Sequence, residues 1–307
     1  MLSLSVVLHR YMDGLEDGKG LYFLFVKAET RTPSGLVARP VLTSYYNSDW
    51  FRRQAEVASN QYTSPVETIL CPDSTESMYC QLLCGLVQRH HVVRIGAVFA
   101  SGFLRAISFL EKRWPELVAD MGSAALCGSA VTDPAARRAV EELMLKYGGG
   151  GGGGGGAEEV AAECRNPSWH GIIRRLWPRA KYIDVIVTGS MAQYIPTLDY
   201  YSDGLPLVST FYASSECYFG INLTPLAPPS AVTYTLLPNM AYFEFLPLVT
   251  TSAGGGENQE PMAHDLLDLV DVEIGKEYEL VITTYSGISY GTIRLYYVMV
   301  FVWVPAS

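Results

Sequence analysis

Tyr182-Ile183-Asp184-Val185-Ile186-Val187-Thr188-Gly189-Ser190 is a β-branched run that closes in a Gly/Ser turn, the pattern of a buried strand. A second run, residues 205–210, leads in the same way into Tyr212-Ala213-Ser214-Ser215-Glu216. Open sheets place their ligand sites where strands end in such loops. Upstream, residues 20–26 and 93–99 are short apolar stretches rich in aromatic or β-branched side chains, and both read as strands. Phe103, Leu104, Ile107, Leu110 and Trp114 then recur at helical spacing, with Arg105, Glu111, Lys112 and Arg113 on the opposite side. Pro115 is expected to kink or restart that helix. Further on, residues 242–246 alternate and 278–284 carry Leu280, Val281 and Ile282. Strands interspersed with helices predict an α/β fold of mixed sheets flanked by helices.

The chain has 307 residues, 49% hydrophobic and 17% charged, the balance of a soluble globular protein with a sizeable core. Its net charge of -9 with only 22 basic residues argues against a nucleic-acid partner, which needs clustered Lys and Arg. Cys71, Cys80, Cys84, Cys127, Cys164 and Cys217 lack the dense spacing of a disulfide framework, so a reducing, cytoplasmic setting is expected. Residues 2–8 are apolar but have no basic lead-in and are too short for a membrane span, so they read as a strand or helix fragment. Nine consecutive glycines, 148–156, read as a flexible insertion. They are not a phosphate loop, because Ala157, Glu158 and Glu159 follow where Gly-Lys-Ser/Thr would be needed.

By residue type, Tyr212-Ala213-Ser214-Ser215-Glu216 offers two hydroxyls and a carboxylate at a strand end. Hydroxyls and backbone N–H groups suit an α-phosphate, and Glu216 suits Mg²⁺; the same residues also make an ordinary turn. Cys80 and Cys84 share a helix face but lack the further ligands of a metal site, so they read as buried thiols. His90-His91, between Arg89 and Arg94, reads as surface or loop.

Seven ordered segments carry a resemblance: Tyr11-Met12-Asp13-Gly14-Leu15-Glu16-Asp17-Gly18-Lys19, Thr32-Pro33-Ser34-Gly35-Leu36, Ile69-Leu70-Cys71-Pro72-Asp73, Tyr79-Cys80-Gln81-Leu82-Leu83-Cys84-Gly85-Leu86, Arg175-Leu176-Trp177-Pro178, Thr188-Gly189-Ser190-Met191 and Pro238-Asn239-Met240-Ala241-Tyr242-Phe243-Glu244-Phe245. In order and spacing the chain resembles the plant auxin-responsive acyl acid-amido synthetases, from about residue 11 to residue 287. The resemblance implies the large N-terminal domain of an adenylate-forming enzyme, with ATP and Mg²⁺ as cofactors and an acyl acid and an amino acid as substrates. An acyl-adenylate forms first, and an amine then displaces AMP. Indole-3-acetic acid is the expected acyl acid. A monomer with no membrane or nucleic-acid partner is expected.

Residue by residue, the resemblance implies a nucleotide site from Thr188, Gly189, Ser190, Met191, Tyr212, Ala213, Ser214, Ser215 and Glu216. Ser214, Ser215 and Glu216 would be catalytic and Glu216 would hold Mg²⁺. Leu82, Leu83, Phe211, Ala213 and Tyr218 would line the acyl pocket, unless Leu82 and Leu83 are only helix core. Thr63 and Ser64 would lie near the amino acid, with Ser64 and Glu67 alternatively forming a capping box. The domain expectation is 1–147 and 157–287 as two parts of one domain around the 148–156 insertion, followed by an aberrant apolar tail, 288–307. Relative to the family the domain reads as incomplete: no Ser/Thr/Gly-rich phosphate loop precedes Arg10, the Tyr/Arg-rich motif that ends in Gly-Asp is replaced after Gly287, and the small C-terminal domain is expected to be absent. The tail is uncharged beyond Arg294 and, as an unpaired strand, would be aggregation-prone. The reading from another class is a non-catalytic remnant that binds an acyl acid or a partner.

Overall fold

The computed structural model describes residues 7–57, 61–126, 128–148, 155–214, 217–248, 266–284 and 294–300, with the side chains of 54–57, 148, 155 and 294–300 outside the description. The chain divides into two compact units, Met1–Thr210 with Asn222–Thr233, and Phe211–Ile221 with Tyr234–Ser307.

In the first unit a four-stranded parallel sheet runs in the order Lys19–Phe23, Val92–Phe99, Tyr182–Ile186, Leu207–Val208. The helix Ser74–Val87 is almost continuously buried from Ser77 to Leu86, as a helix that is apolar on all sides must be. Its start is fixed by Asp73, which accepts from the amides of Thr75 (2.7 Å) and Glu76 (3.0 Å). Glu76 in turn accepts from the Thr132 amide and hydroxyl and from the Asp133 amide. Asp133 then caps the helix Pro134–Gly148 through the amides of Ala135 and Ala136. One relay of carboxylates therefore starts two helices and joins them.

The helix Ala100–Ser123 buries Phe103, Ala106, Ile107, Leu110 and Leu117, so the predicted apolar face is the one that packs. Pro115 does not restart it. The proline lies inside a continuous helix, on its exposed side, where the carbonyl it leaves without a donor can turn to water.

The second unit holds two antiparallel sheets. One is Phe211–Ala213, Tyr218–Ile221, Thr235–Leu236; the other runs Leu267–Asp268, Tyr242–Pro247, Glu277–Thr283, Arg294–Val300. Alternation along Tyr242–Pro247 sends Phe243 and Phe245 inward, where they pack with Phe219, Tyr278, Leu280 and Ile282.

Two expectations change. The predicted 205–210 strand is only Leu207–Val208. Beyond it the Ser209 hydroxyl takes over the ladder, donating to Val185 O (3.1 Å) and accepting from Val187 N (3.0 Å), and the chain leaves for another sheet. The division into units falls at Thr210. The helices Pro134–Gly148 and Gly155–Cys164 on either side of that run belong to one unit, and residues 149–154 lie outside the described residues. Finally, the described part of the tail is a paired strand. Arg294–Val300 pairs with Glu277–Thr283, Glu277 opposite Val300 and Val281 opposite Arg294, with a register shift between. Residues 301–307 and 1–6 lie outside the described residues.

Candidate active site

Thr188, Gly189, Ser190 and Met191 sit at the carboxyl end of the parallel strand Tyr182–Ile186. Thr188 is extended, Gly189 takes φ +58°, and a 3-10 turn Gly189–Tyr194 runs into the helix Ile195–Ser202. Only glycine enters that left-handed region without a Cβ penalty. Gly189 and Ser190 are exposed and Met191 is half-buried against the core. This places them where an open sheet offers a ligand site.

Phe211, Tyr212, Ala213 and Ser214 lie on the first arm of a hairpin in the second unit, not on the parallel sheet. Phe211 pairs with Ile221 and Tyr212 with Gly220; a bulge then sets Ala213 opposite Tyr218. The Ser214 amide donates to Cys217 O at 3.0 Å, so this N–H is engaged within the hairpin. Ser215 and Glu216, the expected catalytic serine and Mg²⁺ ligand, lie outside the described residues.

The hairpin has two chemically different faces. Tyr212 stacks on Tyr234 (5.6 Å) and meets Phe219 edge-on (4.9 Å), facing the core. Phe211 and Tyr218 meet at 5.0 Å. Ala213, directly across from Tyr218, shares that face, and Tyr218 is 45% exposed. Three of the five expected acyl-pocket residues are thus brought together. Leu82 and Leu83 are in the first unit, fully buried in its core.

Thr63 is held by its backbone: its amide donates to Gly20 O (3.1 Å) and its carbonyl accepts from Gln88 Nε2 (2.8 Å). The capping box fails. Pro65, not Ser64, is the N-cap of Val66–Leu70, and no side chain caps it, because Ser64 stands one residue too early to reach the first-turn amides. Among the described residues the buried hydroxyls of Thr63 and Ser64 have no hydrogen-bond partner, an arrangement that suits a polar ligand group. Cys80 and Cys84 are completely buried, and burial pushes both thiols up, Cys80 to about 12. His90 and His91 are exposed on the 3-10 turn Arg89–His91.

One group was not singled out from the sequence. Asp184 Oδ2 accepts from the Tyr22 hydroxyl (3.0 Å) and Oδ1 from the Thr210 hydroxyl (3.2 Å). Desolvation raises its carboxyl from 3.8 to about 6, against the pull of these two donors and of Arg94. The signal was an acid within the otherwise apolar or β-branched 182–187 run.

Among the described residues no group of three or more His, Cys, Asp or Glu is placed to hold a metal.

A profile of the GH3 family N-terminal domain matches residues 1–207, and one of the GH3 family central domain matches 234–292. Over 291 residues the chain is 56% identical to indole-3-acetic acid-amido synthetase GH3.6 of Arabidopsis thaliana, covering 93% of this chain and 46% of that protein. Among solved structures it is similar to GH3.15 acyl acid amido synthetase, with a TM-score of 0.78, 43% identity, and coverage of 92% of this chain and 46% of that one. It is also similar to the AtGH3.15 acyl acid amido synthetase in complex with 2,4-DB, with a TM-score of 0.75, 42% identity, and coverage of 92% and 45%. The chain spans about half the length of the curated relatives it matches. With two thirds of its length matched by the N-terminal domain profile alone, the chain belongs to the GH3 family.

Proposed function

We propose that the protein is an ATP-dependent ligase that joins a carboxylic acid, indole-3-acetic acid above all, to the amine of an amino acid. The observation that carries this reading is the two-faced hairpin. It presents Phe211 and Tyr218 in ring contact with the small Ala213 directly across from Tyr218, in a chain 56% identical to an indole-3-acetic acid-amido synthetase. A carboxylate oxygen attacks the α-phosphorus of ATP and pyrophosphate leaves. The amino acid's amine then attacks the acyl carbon, loses a proton, and AMP departs with the bonding pair. Glu216 is the residue that would hold Mg²⁺, which neutralises phosphate charge when bound. The Ser214 and Ser215 hydroxyls would contact the phosphate or the activated carboxyl. Thr188, Gly189, Ser190 and Met191 would flank the adenine, and Thr63 and Ser64 would offer hydroxyls to the amino acid. The protein's contribution is positioning and charge stabilisation. Among the described residues five buried free thiols support a reducing, cytosolic setting, and we take the working unit to be a monomer.

The test is ATP–pyrophosphate exchange driven by indole-3-acetic acid, run on the longest product of the gene with Glu216→Ala as control. Exchange that is lost in the variant is expected. No exchange across a panel of acyl acids overturns the catalytic reading.

A further inference from the structure

The Phe211–Ile221 hairpin has a weak register of its own. Its first arm is three residues long, a bulge at Phe219 shifts the pairing on the second arm, and Gly220 gives Tyr212 no side chain to pack against across the ladder. Short, glycine-containing pairings slip, and a one-residue slip turns every side chain to the other face. In this hairpin a slip would exchange Tyr212 with the Phe211 and Ala213 face.

What resists the slip lies at the root. Thr210 and Asn222 are the residues immediately before and after the hairpin, and the Asn222 amide donates to Thr210 O at 3.0 Å, continuing the same ladder by one rung. Asn222 is buried, and its side chain is used at both ends. Nδ2 donates to Ser209 O at 3.0 Å, while Oδ1 accepts from the Thr224 amide at 2.9 Å. Ser209, fully buried, is itself pinned to Val185 and Val187 of the parallel sheet. The Thr210 hydroxyl is held by Asp184, which Tyr22 holds in turn. Every link is a short polar contact in a site closed to water at Ser209 and Asn222, where losing a partner is most costly.

We propose that Ser209, Asn222 and Asp184 are positioning residues for the nucleotide-binding segment: they lock Thr210 opposite Asn222 and so set the register in which Tyr212 and Ala213 are presented. This rests on the proposed ligase reading for its consequence, though not for its geometry.

Amide hydrogen exchange and ATP binding, measured on the 307-residue chain and on Asn222→Ala, Thr210→Val and Thr210→Ser, separate the two. Thr210→Val keeps the volume and loses the hydroxyl; Thr210→Ser keeps the hydroxyl. Peptides covering 210–222 should exchange faster in Asn222→Ala and Thr210→Val and return to the parent rate in Thr210→Ser, while the Ser74–Val87 helix stays protected in all. ATP–Mg²⁺ affinity should fall about tenfold in the first two variants, equivalent to about 1.4 kcal/mol, and be restored in the third. Unaltered exchange over 210–222 overturns the clamp, as does deprotection that spreads equally to Ser74–Val87, or parent-like ATP affinity in the loosened variants. If the parent chain binds no ATP, the nucleotide reading fails for this chain and the exchange data alone decide the clamp.

Discussion

The Tyr22 hydroxyl donates to Asp184 Oδ2 at 3.0 Å across the parallel sheet, and Asp184 still titrates near 6. A donor of this kind pulls a carboxyl down, so desolvation outweighs it. An acid whose folded-state value is raised binds its proton more tightly folded than unfolded. Its contribution is therefore most favourable below about 3.8 and is lost as pH rises through about 6. Asp184→Asn removes this dependence. Urea unfolding at pH 4.5 and pH 7 should show the variant gaining on the parent by about 1–3 kcal/mol between the two conditions. A difference that does not change with pH would show that Asp184 is not the titrating group.

Two glycines of the first unit should respond to alanine with opposite signs. A Cβ on Gly96, in the strand Val92–Phe99, would come within 2.4 Å of Asp184 O and 2.8 Å of the Tyr22 ring. The first contact is backbone and cannot swing away, so Gly96→Ala should cost about 2–4 kcal/mol or prevent folding. Gly102, in the helix Ala100–Ser123, has nothing within 4 Å of that position. Gly102→Ala should stabilise by about 0.5–1 kcal/mol. Denaturation midpoints read both.

Tyr79 and Asp120 are buried, and the tyrosine hydroxyl donates to Asp120 Oδ2 at 2.6 Å. Tyr79→Phe removes the donor while leaving the carboxylate in the core. A loss of about 1–3 kcal/mol is expected, measured by thermal or urea unfolding. A neutral result would mean that solvent reaches Asp120 on opening.

What could be read from the sequence was local. The strands around Val93 and Tyr182 and the helix through Phe103, Ile107 and Leu110 announce themselves because burial imposes a period on nearby residues. The boundary at Thr210 does not, because it is made by Ser209, Asp184 and Asn222 bonding across chain separations that no window sees. The same holds for Arg294–Val300, whose apolar run after Arg294 was visible while its partner strand was not. Ser64 shows the limit at short range: Ser-x-x-Glu has the letters of a capping box, but the helix begins one residue later. At the site, the aromatic and small residues of 211–218 were legible by type. Their separation into a Tyr212 face and a Phe211, Ala213, Tyr218 face depends on a bulge that composition does not reveal.

That separation makes the most specific functional prediction. Ala213 stands opposite Tyr218, beside the Phe211–Tyr218 contact at 5.0 Å. Under the proposed function a leucine there would fill space that a bicyclic aromatic acid needs, while Tyr212 packs with Tyr234 and Phe219 and is left undisturbed. Filling part of an apolar pocket costs roughly 10–200-fold in discrimination. Under the proposed function, Ala213→Leu should raise KM for indole-3-acetic acid within that range and raise it much less for benzoate. Steady-state kinetics with the two acids is the measurement. An equal rise for both acids would detach Ala213 from acyl recognition, and a rise confined to ATP would place this face against the nucleotide instead, since only a residue in contact with the acyl group can sense its size.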